Sequence, residues 1–194
     1  MEFFFFLLWS LRVKIETMEI DLVVKAIKGG KVVLAPTDTV YGLICDATNK
    51  KAVEKIFKIK KRPKNKPVPV FVSDIEMAKK IAEIDAKQEK FLKTVWPGAT
   101  TCVLTVKGGG GTIGIRIPKN NSLLNLVKQL GGPLAETSAN ISGNPASTKI
   151  NEVLAQFEGQ EEQPDLVIDG GDLPPAKPST VIDLRFSSLK ILRQ

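Results

Sequence analysis

The chain has 194 residues, 43% of them hydrophobic and 25% charged, and its 28 basic and 21 acidic residues give a net charge of +7. This is enough chain to bury the core of one globular domain, and the charge favours anionic partners without separating a nucleotide from RNA. The absence of histidine excludes a mechanism built on an imidazole base, and the two cysteines, Cys45 and Cys102, lack the spacing of metal ligands.

The N-terminus carries a short apolar run, Phe3 to Trp9. About seven residues cannot cross a hydrocarbon core that needs roughly 20, so no membrane span is expected. A signal peptide is also not indicated, because Glu2 is acidic and the apolar run is short. The run indicates a first strand or an extra N-terminal arm, and we interpret residues 1–17 as an N-terminal apolar extension of open role and residues 18–194 as the domain. The cysteine usage favours the reducing cytoplasm.

Helix-like and strand-like segments alternate along the chain, which predicts an α/β fold. Several connections are too short for crossover helices, so we expect a single domain with a twisted, mostly mixed β-sheet flanked by helices around a basic concave cleft. The predicted helices cover 21–28, the segment around 53–60, 73–84, 85–96, a segment ending at 131–132, and 151–157. The predicted strands cover 31–35, 100–106, 112–117, 134–137, 166–169, 180–184 and 189–193.

Capping residues predict where three helices begin. Asp21 is expected to cap the first helix, Ser73 and Glu76 form a capping-box pattern, and Asp85 begins the next helix. The four glycines at 108–111 lack a following Lys-Ser or Lys-Thr and a helix, so a hairpin turn is favoured over a phosphate-binding loop.

Lys60 continues the apolar stripe of Val53, Ile56 and Phe57 at helical spacing, where a cation is out of place. Either its stem covers the core while the ammonium reaches solvent, or the ammonium is directed into a cleft. Arg62 follows just as Pro63 ends the helix, so two cations can converge there.

Polar side chains also follow two predicted strands. Thr37, Asp38 and Thr39 follow the 31–35 strand, and Ser138, Asn140 and Ser142 follow the 134–137 strand, at positions where α/β sheets commonly bind ligands. The alternative is a pair of capped turns. Strand alternation places Arg116 on the face of its strand opposite to Ile115 and Ile117. A ligand-binding arginine and an ordinary exposed arginine are equally acceptable interpretations.

From about Ile20 to Arg193 the chain resembles the YrdC/Sua5/TsaC family, the threonylcarbamoyl-AMP synthases that begin the tRNA modification t6A. The resemblance rests on short motifs in a specific order. They are Ala-Pro-Thr-Asp-Thr-Val-Tyr-Gly-Leu at 35–43, Lys-x-Arg-Pro at 60–63, Trp-Pro-Gly at 96–98, Arg116, Ser-Ala-Asn-x-Ser-Gly at 138–143, Pro-Ser-Thr-Val at 178–181 and Ile-Leu-Arg at 191–193.

The resemblance implies condensation of L-threonine, bicarbonate and ATP to threonylcarbamoyl-AMP and pyrophosphate, with Mg²⁺ carried by ATP and no protein-held metal site. It implies catalytic roles for Lys60, Arg62, Ser138 and Asn140. The threonine-binding residues it implies are Thr37, Arg116, Thr137 and Ser138. The ATP-binding residues it implies are Lys60, Arg62, Lys64, Asn140, Ser147, Ser179 and Arg193. Partners would be a downstream t6A transferase complex and tRNA.

Two departures and two alternatives accompany this interpretation. Asn65-Lys66-Pro67 departs from the usual spacing after Arg-Pro, which affects Lys64, and the apolar start lies outside the family pattern. The chain resembles the single-domain branch. One alternative is a tRNA- or double-stranded-RNA-binding module of the same fold without synthase activity, and the other is a carbamoyl-adenylate-forming module of hydrogenase-maturation proteins.

Overall fold

One mixed sheet runs through the computed structural model, which describes residues 12–14, 20–186 and 189–194. The rest of the predicted N-terminal extension, including Phe3 to Trp9, lies outside these residues. The strands are β1 (Arg12–Lys14), β2 (Val33–Pro36), β3 (Tyr41–Asp46), β4 (Val70–Phe71), β5 (Thr100–Thr105), β6 (Thr112–Arg116), β7 (Leu134–Ser138), β8 (Leu166–Asp169), β9 (Thr180–Asp183) and β10 (Lys190–Arg193). The helices are α1 (Ile20–Lys28), α2 (Lys50–Ile59), α3 (Ile75–Ile81), α4 (Ala86–Val95), α5 (Asn121–Leu130) and α6 (Ile150–Ala155).

The strand order β1-β8-β2-β3-β7-β4-β6-β5-β9-β10 combines parallel and antiparallel neighbours. β1 with β8, β8 with β2, β4 with β6, and β5 with β9 are parallel pairs, and the other neighbours are antiparallel. The mixed sheet is therefore confirmed. β7 lies between β3 and β4, so residues at its end face those that follow β2 and α2. At the far edge β10 pairs with β9, and its register shifts between Ile191 and Arg193.

Helices cover both faces of the sheet, and the alternation of side chains along β2 shows the two faces directly. Val33 and Ala35 pack in the cluster that contains residues of α1 and α5, whereas Leu34 packs in the cluster of α2 and α6. A third cluster joins α3 and α4 to β5 and β6. Successive strand residues point to opposite faces, so this pattern follows from the period of two. In the described ranges, no helix combines the length and apolarity needed to cross a bilayer.

Local sequence signals fix most helix ends, with two corrections. Asp85 begins α4 as predicted and forms a capping box with Gln88, and Gly131 ends α5 in the left-handed conformation at φ 77°. The predicted cap at Ser73 is wrong, because Asp74 accepts the hydrogen bond from the Met77 amide and is the true N-cap of α3. Asp21 lies inside the first turn of α1 instead of capping it.

Three strands were not predicted from the sequence. β3 is buried along nearly its whole length and so lacks the alternation that marks a strand with one exposed face. β4 has only two residues. β1 falls within the predicted extension and pairs with β8. The division of the chain at residue 17 stays a prediction, since most of residues 1–17 lie outside the described ranges. The hairpin of β5 and β6 around the four glycines is confirmed.

The capping box of α4 gives a prediction for stability. Asp85→Ala removes the acceptor for the Gln88 amide, which lies 2.7 Å from Asp85 Oδ1, and should lower the free energy of unfolding by about 1 kcal/mol. Urea denaturation measures the change. The control is Lys87→Ala on the same helix, where the exposed side chain makes no ion pair in the described ranges and a change within about 0.5 kcal/mol is expected. Equal stability of the Asp85 variant and wild type would contradict the prediction.

Candidate active site

A cavity of about 370 Å³ opens where the ends of several strands meet the loop after α2. Its size lies in the range of small-molecule sites. Its charged lining consists of four arginines, on the loop after α2, at the ends of β6 and β10, and after β9, and of two carboxylates. These residues are Arg62, Arg116, Arg193, Arg185, Glu136 and Asp183. Thr39, Thr137, Ser138 and Ser179 add hydroxyl groups. The lining offers donors for anions together with a small number of acceptors.

Lys60 lies behind this cavity as the C-cap residue of α2, with a side chain only 1% exposed. Its Nζ donates to Ser138 O at 2.5 Å, to Asn140 O at 2.7 Å and to Asn140 Oδ1 at 3.1 Å. The side chain therefore neither reaches solvent nor lines the cavity, so neither sequence-based interpretation describes it. It fixes the loop after β7 to the end of α2. The backbone adds a second link, because Ser142 N donates to Lys60 O at 2.8 Å.

Two opposing effects act on the protonation of Lys60. Burial, and secondly the charge of Arg62, lower the pKa of Lys60 to about 7, while Glu136 raises it. The three oxygen acceptors favour the charged form, because only an ammonium has three N–H donors. Ser138 Oγ also donates to Asn140 Oδ1 at 2.6 Å, so the loop is hydrogen-bonded internally as well. Asn140 itself is buried and directs its amide to Ile141 O and Asn144 O.

Arg116 is 2% exposed, so the interpretation as an ordinary exposed strand arginine is wrong. Its Nε donates to Gly98 O at 2.7 Å, its Nη2 lies 2.6 Å from Asp38 Oδ1, and its guanidinium lies over the Phe71 ring at 5.5 Å. Asp38 Oδ2 accepts from Lys119 N at 2.9 Å. Asp38 thus supplies a counter-charge to Arg116, while Arg116 Nη1 forms no hydrogen bond with the described residues.

Arg62 and Arg193 face the cavity without a carboxylate partner in the described part of the chain. Arg62 donates to Lys66 O and Pro67 O at 2.8 and 3.0 Å. Arg193 donates to the buried Ser179, at 2.9 and 2.7 Å to its carbonyl oxygen and 3.0 Å to its hydroxyl. Burial, followed by the charge of Arg193, lowers the pKa of Arg62. Two cations that repel one another across a cavity favour the binding of an anion between them.

Thr37 is buried and does not line the cavity, although its neighbours Thr39 and Val40 do. Its hydroxyl donates to Val40 O at 2.6 Å and accepts from Thr39 N at 3.1 Å, so it shapes the turn before β3. Of the predicted site residues, the cavity brings together Arg62, Arg116, Thr137, Ser138, Ser179 and Arg193, with Lys60 and Asn140 directly behind Ser138.

Lys64 and Ser147 lie away from the cavity lining. The Lys64 side chain is 87% exposed, and its Nζ lies 3.9 Å from Glu54 Oε1. Ser147 Oγ donates to Glu152 Oε2 at 2.6 Å. Their assignment to ATP binding stays a prediction, and in this geometry each side chain would have to move to reach the cavity.

Sequence reasoning missed the acidic members of the site. Glu136 lies inside the buried strand β7 between Ala135 and Thr137, and a charge within a buried strand was the available signal. Asp183 is 2% exposed and binds Arg185 through both carboxylate oxygens, at 2.9 and 2.7 Å. Neither the composition of the chain nor the spacing of these two residues predicts the pair.

The pair of Asp38 and Arg116 gives a prediction for stability. Asp38→Asn leaves a buried guanidinium without its counter-charge, so the free energy of unfolding should fall by about 3 kcal/mol. Urea denaturation at neutral pH measures it. Glu54→Gln is the control, because the Glu54 side chain is 57% exposed and should change stability by less than about 0.5 kcal/mol. Equal losses in both variants would contradict the prediction.

Comparisons with known proteins place the fold. The Sua5/YciO/YrdC family model, described as telomere recombination, matches residues 25–194. A threonylcarbamoyl-AMP synthase of Pyrococcus abyssi is 36% identical over 184 residues, covering 90% of this chain and 53% of that protein. The crystal structure of P. abyssi Sua5 complexed with L-threonine matches with a TM-score of 0.83 at 34% identity, over 94% of this chain and 56% of that chain.

The crystal structure of E. coli YciO matches with a TM-score of 0.82 at 27% identity, over 95% of this chain and 94% of that chain. This chain therefore spans about half the length of the P. abyssi relative and nearly all of YciO. The family model covers the chain from within α1 through β10, including the strands and loops that build the cavity. The chain belongs to the Sua5/YciO/YrdC family.

Proposed function

We propose that this protein is an L-threonylcarbamoyladenylate synthase, which condenses L-threonine, bicarbonate and ATP to threonylcarbamoyl-AMP and pyrophosphate for t6A37 modification of tRNA. The observation that carries the proposal is one cavity lined by Arg62, Arg116, Arg193 and Ser138 and supported from behind by Lys60. The proposal draws on the P. abyssi relative, which is named threonylcarbamoyl-AMP synthase and whose Sua5 structure was solved with L-threonine.

The two arginines without carboxylate partners are assigned to ATP. Arg62 and Arg193 both line the cavity, and the phosphates of ATP would supply the counter-charge that the described residues do not. A planar guanidinium binds phosphate oxygens in pairs, so both can hold a triphosphate and still stabilise charge on leaving pyrophosphate. Ser179 positions Arg193 through its carbonyl and hydroxyl oxygens.

Arg116 is assigned to the carboxylate of threonine. Gly98 and Asp38 hold two of its nitrogens, and Nη1 is left for the substrate. Thr137 and Ser138 line the same cavity. Thr37 would act by shaping the turn that carries Thr39 and Val40 into the lining. To contact threonine directly, its hydroxyl would have to give up the hydrogen bond to Val40 O.

Both chemical steps place negative charge in this cavity. The amine nitrogen of threonine bonds to the carbon of bicarbonate and water is lost, which gives a carbamate. A carbamate oxygen then attacks the α-phosphorus of ATP, and the bond from that phosphorus to the bridging oxygen of pyrophosphate breaks. Holding three reactants together lowers the entropic barrier, and fixed guanidinium and ammonium groups stabilise the charge that develops.

Mg²⁺ is assigned to ATP. Among the described residues, no cluster of three or more metal-ligating side chains forms. The acidic side chains Asp38 and Asp183 are engaged by Arg116 and Arg185. A metal carried in by the phosphates needs no such cluster, and it would shield their charge during the attack.

Transfer to tRNA by a downstream complex and a cytoplasmic location belong to the same proposal. Cys45 and Cys102 are buried free thiols, and burial raises the pKa of each to about 12, which fits a reducing compartment. The alternative of an RNA-binding module without synthase activity is not favoured, because it leaves the arginine-lined cavity without a ligand.

The direct test is pyrophosphate release with ATP, Mg²⁺ and bicarbonate, measured with and without L-threonine. Wild type should release pyrophosphate only with threonine. Lys60→Ala frees the loop of Ser138 and Asn140, and a displacement of about 1 Å can cost about 100-fold in rate, so a loss of that size is expected. Lys58→Ala is the control, because that exposed lysine on α2 pairs with Glu162 outside the cavity. No threonine-dependent release by wild type would overturn the proposed function.

Arg193 gives a separate prediction for nucleotide affinity. Arg193→Ala should raise the KM for ATP about 10- to 100-fold, while the KM for threonine changes much less. This range corresponds to the loss of charge-assisted hydrogen bonds, which contribute about 1.5–3 kcal/mol. Lys190→Ala, on the same strand and exposed, should leave both constants unchanged. An effect on threonine alone would contradict the assignment of Arg193 to ATP.

A further inference from the structure

Glu136 is a carboxylate of the cavity that the mechanism above leaves unused. It lies on the central strand β7, paired with Ile44 of β3, and it lines the cavity beside Thr137 and Ser138. A methyl group built on Gly42 would lie 3.1 Å from Glu136 Oε1 and 3.0 Å from Thr37 Cγ2. The carboxylate and Thr37 therefore flank Gly42, which pairs with Ser138, a residue assigned to threonine.

No hydrogen bond or ion pair holds this carboxylate within residues 20–186 and 189–194. The other acidic residue of the lining, Asp183, is bound by two guanidinium nitrogens of Arg185, Nε and Nη2. Asp38, behind the lining, is bound by Arg116 and Lys119 N. A partly buried carboxylate without donors is costly unless a ligand supplies them, so Glu136 has acceptor capacity for a substrate.

The charged groups that face Glu136 come from four parts of the fold: Arg116 on β6, Lys60 at the end of α2, Asp38 before β3 and Arg193 on β10. Burial raises the pKa of Glu136 to about 7, although Arg116 and Lys60 oppose the shift. A group with this pKa exchanges protons readily near neutral pH.

The proposed reaction has a requirement that fits this group. Its amino-acid substrate arrives with an ammonium, which cannot attack carbon until it loses a proton. Every other unpaired charge assigned in the cavity is cationic and would repel an ammonium. Resting on the proposed function, we propose that Glu136 binds the α-ammonium of the amino-acid substrate and is the general base that removes its proton before carbamate formation.

The step balances without a further reactant. Glu136 carboxylate takes one proton from the ammonium and becomes the neutral acid, and the freed lone pair of nitrogen forms the bond to the carbon of bicarbonate. The C–O bond to hydroxide breaks, and hydroxide leaves as water with the second proton of the amine. Glu136 returns its proton to solvent after the product departs. Lys60 and Arg116 stabilise the carboxylate between turnovers.

The variants Glu136→Gln and Glu136→Asp test the proposal in the threonine-dependent pyrophosphate assay across pH. In wild type, kcat/KM for threonine should fall as pH drops below about 7, because the carboxylate becomes protonated. Glu136→Gln should lower this constant about 100-fold at pH 7.5 and remove the acid limb. Glu136→Asp should keep the acid limb at a reduced rate.

Two controls separate a chemical role from a structural one. Glu158→Gln, an exposed change after α6, should match wild type at every pH. The Kd for ATP measured without threonine should stay within about threefold of wild type in Glu136→Gln, because the change removes a negative charge and preserves shape.

The outcomes distinguish this inference from the function on which it rests. A wild-type protein without threonine-dependent release overturns both. An active wild type with a Glu136→Gln variant that keeps its rate and acid limb overturns the inference alone. A Glu136→Gln variant with a raised KM for threonine, unchanged kcat and an intact acid limb also overturns it, since the proton would then have another acceptor.

Discussion

The ammonium of Lys60 is the interaction on which the candidate site depends. It joins the end of α2 to the loop after the central strand β7 through two loop carbonyls and the Asn140 side chain. Burying a cation costs free energy that only close acceptors offset, so the loop is held in the geometry that supplies all three. The position of Ser138 in the cavity follows from that requirement.

The arginines that line the cavity fall into two groups, with and without a carboxylate partner. Arg116 and Arg185 have carboxylate partners and are fixed by the protein itself. Among the described residues, Arg62 and Arg193 are held only by backbone and hydroxyl oxygens, which orient a guanidinium without neutralising it. Glu136 is the reverse case, a carboxylate near cations with no direct donor in the described ranges. This arrangement leaves net positive charge, which we assign to phosphates, and one acceptor, which we assign to an amine.

Sequence reasoning succeeded where local chemistry decides the structure. Asp85, Gly131 and the glycine run end or connect their elements as predicted, because caps and turns depend on a few adjacent residues. It left open whether Lys60 and Arg116 are buried. Burial of Lys60 depends on acceptors more than 70 residues away, and burial of Arg116 depends on Asp38, 78 positions earlier. Glu136 was missed for the same reason, since a charge in a short strand gains its meaning from neighbouring strands. β3 was missed because a fully buried strand has no alternation.

The part of the cavity that we assign to the nucleotide lies at the edge of the sheet. Arg193 belongs to β10, the edge strand, which has a register shift and whose residues Ile191 and Leu192 are more than half exposed. An edge strand with little buried surface opens locally at lower free energy than central strands such as β7. Part of the binding energy of a nucleotide would then be used to close the β9–β10 hairpin, so the apparent affinity would report the local folding equilibrium of the hairpin as well as the contacts themselves.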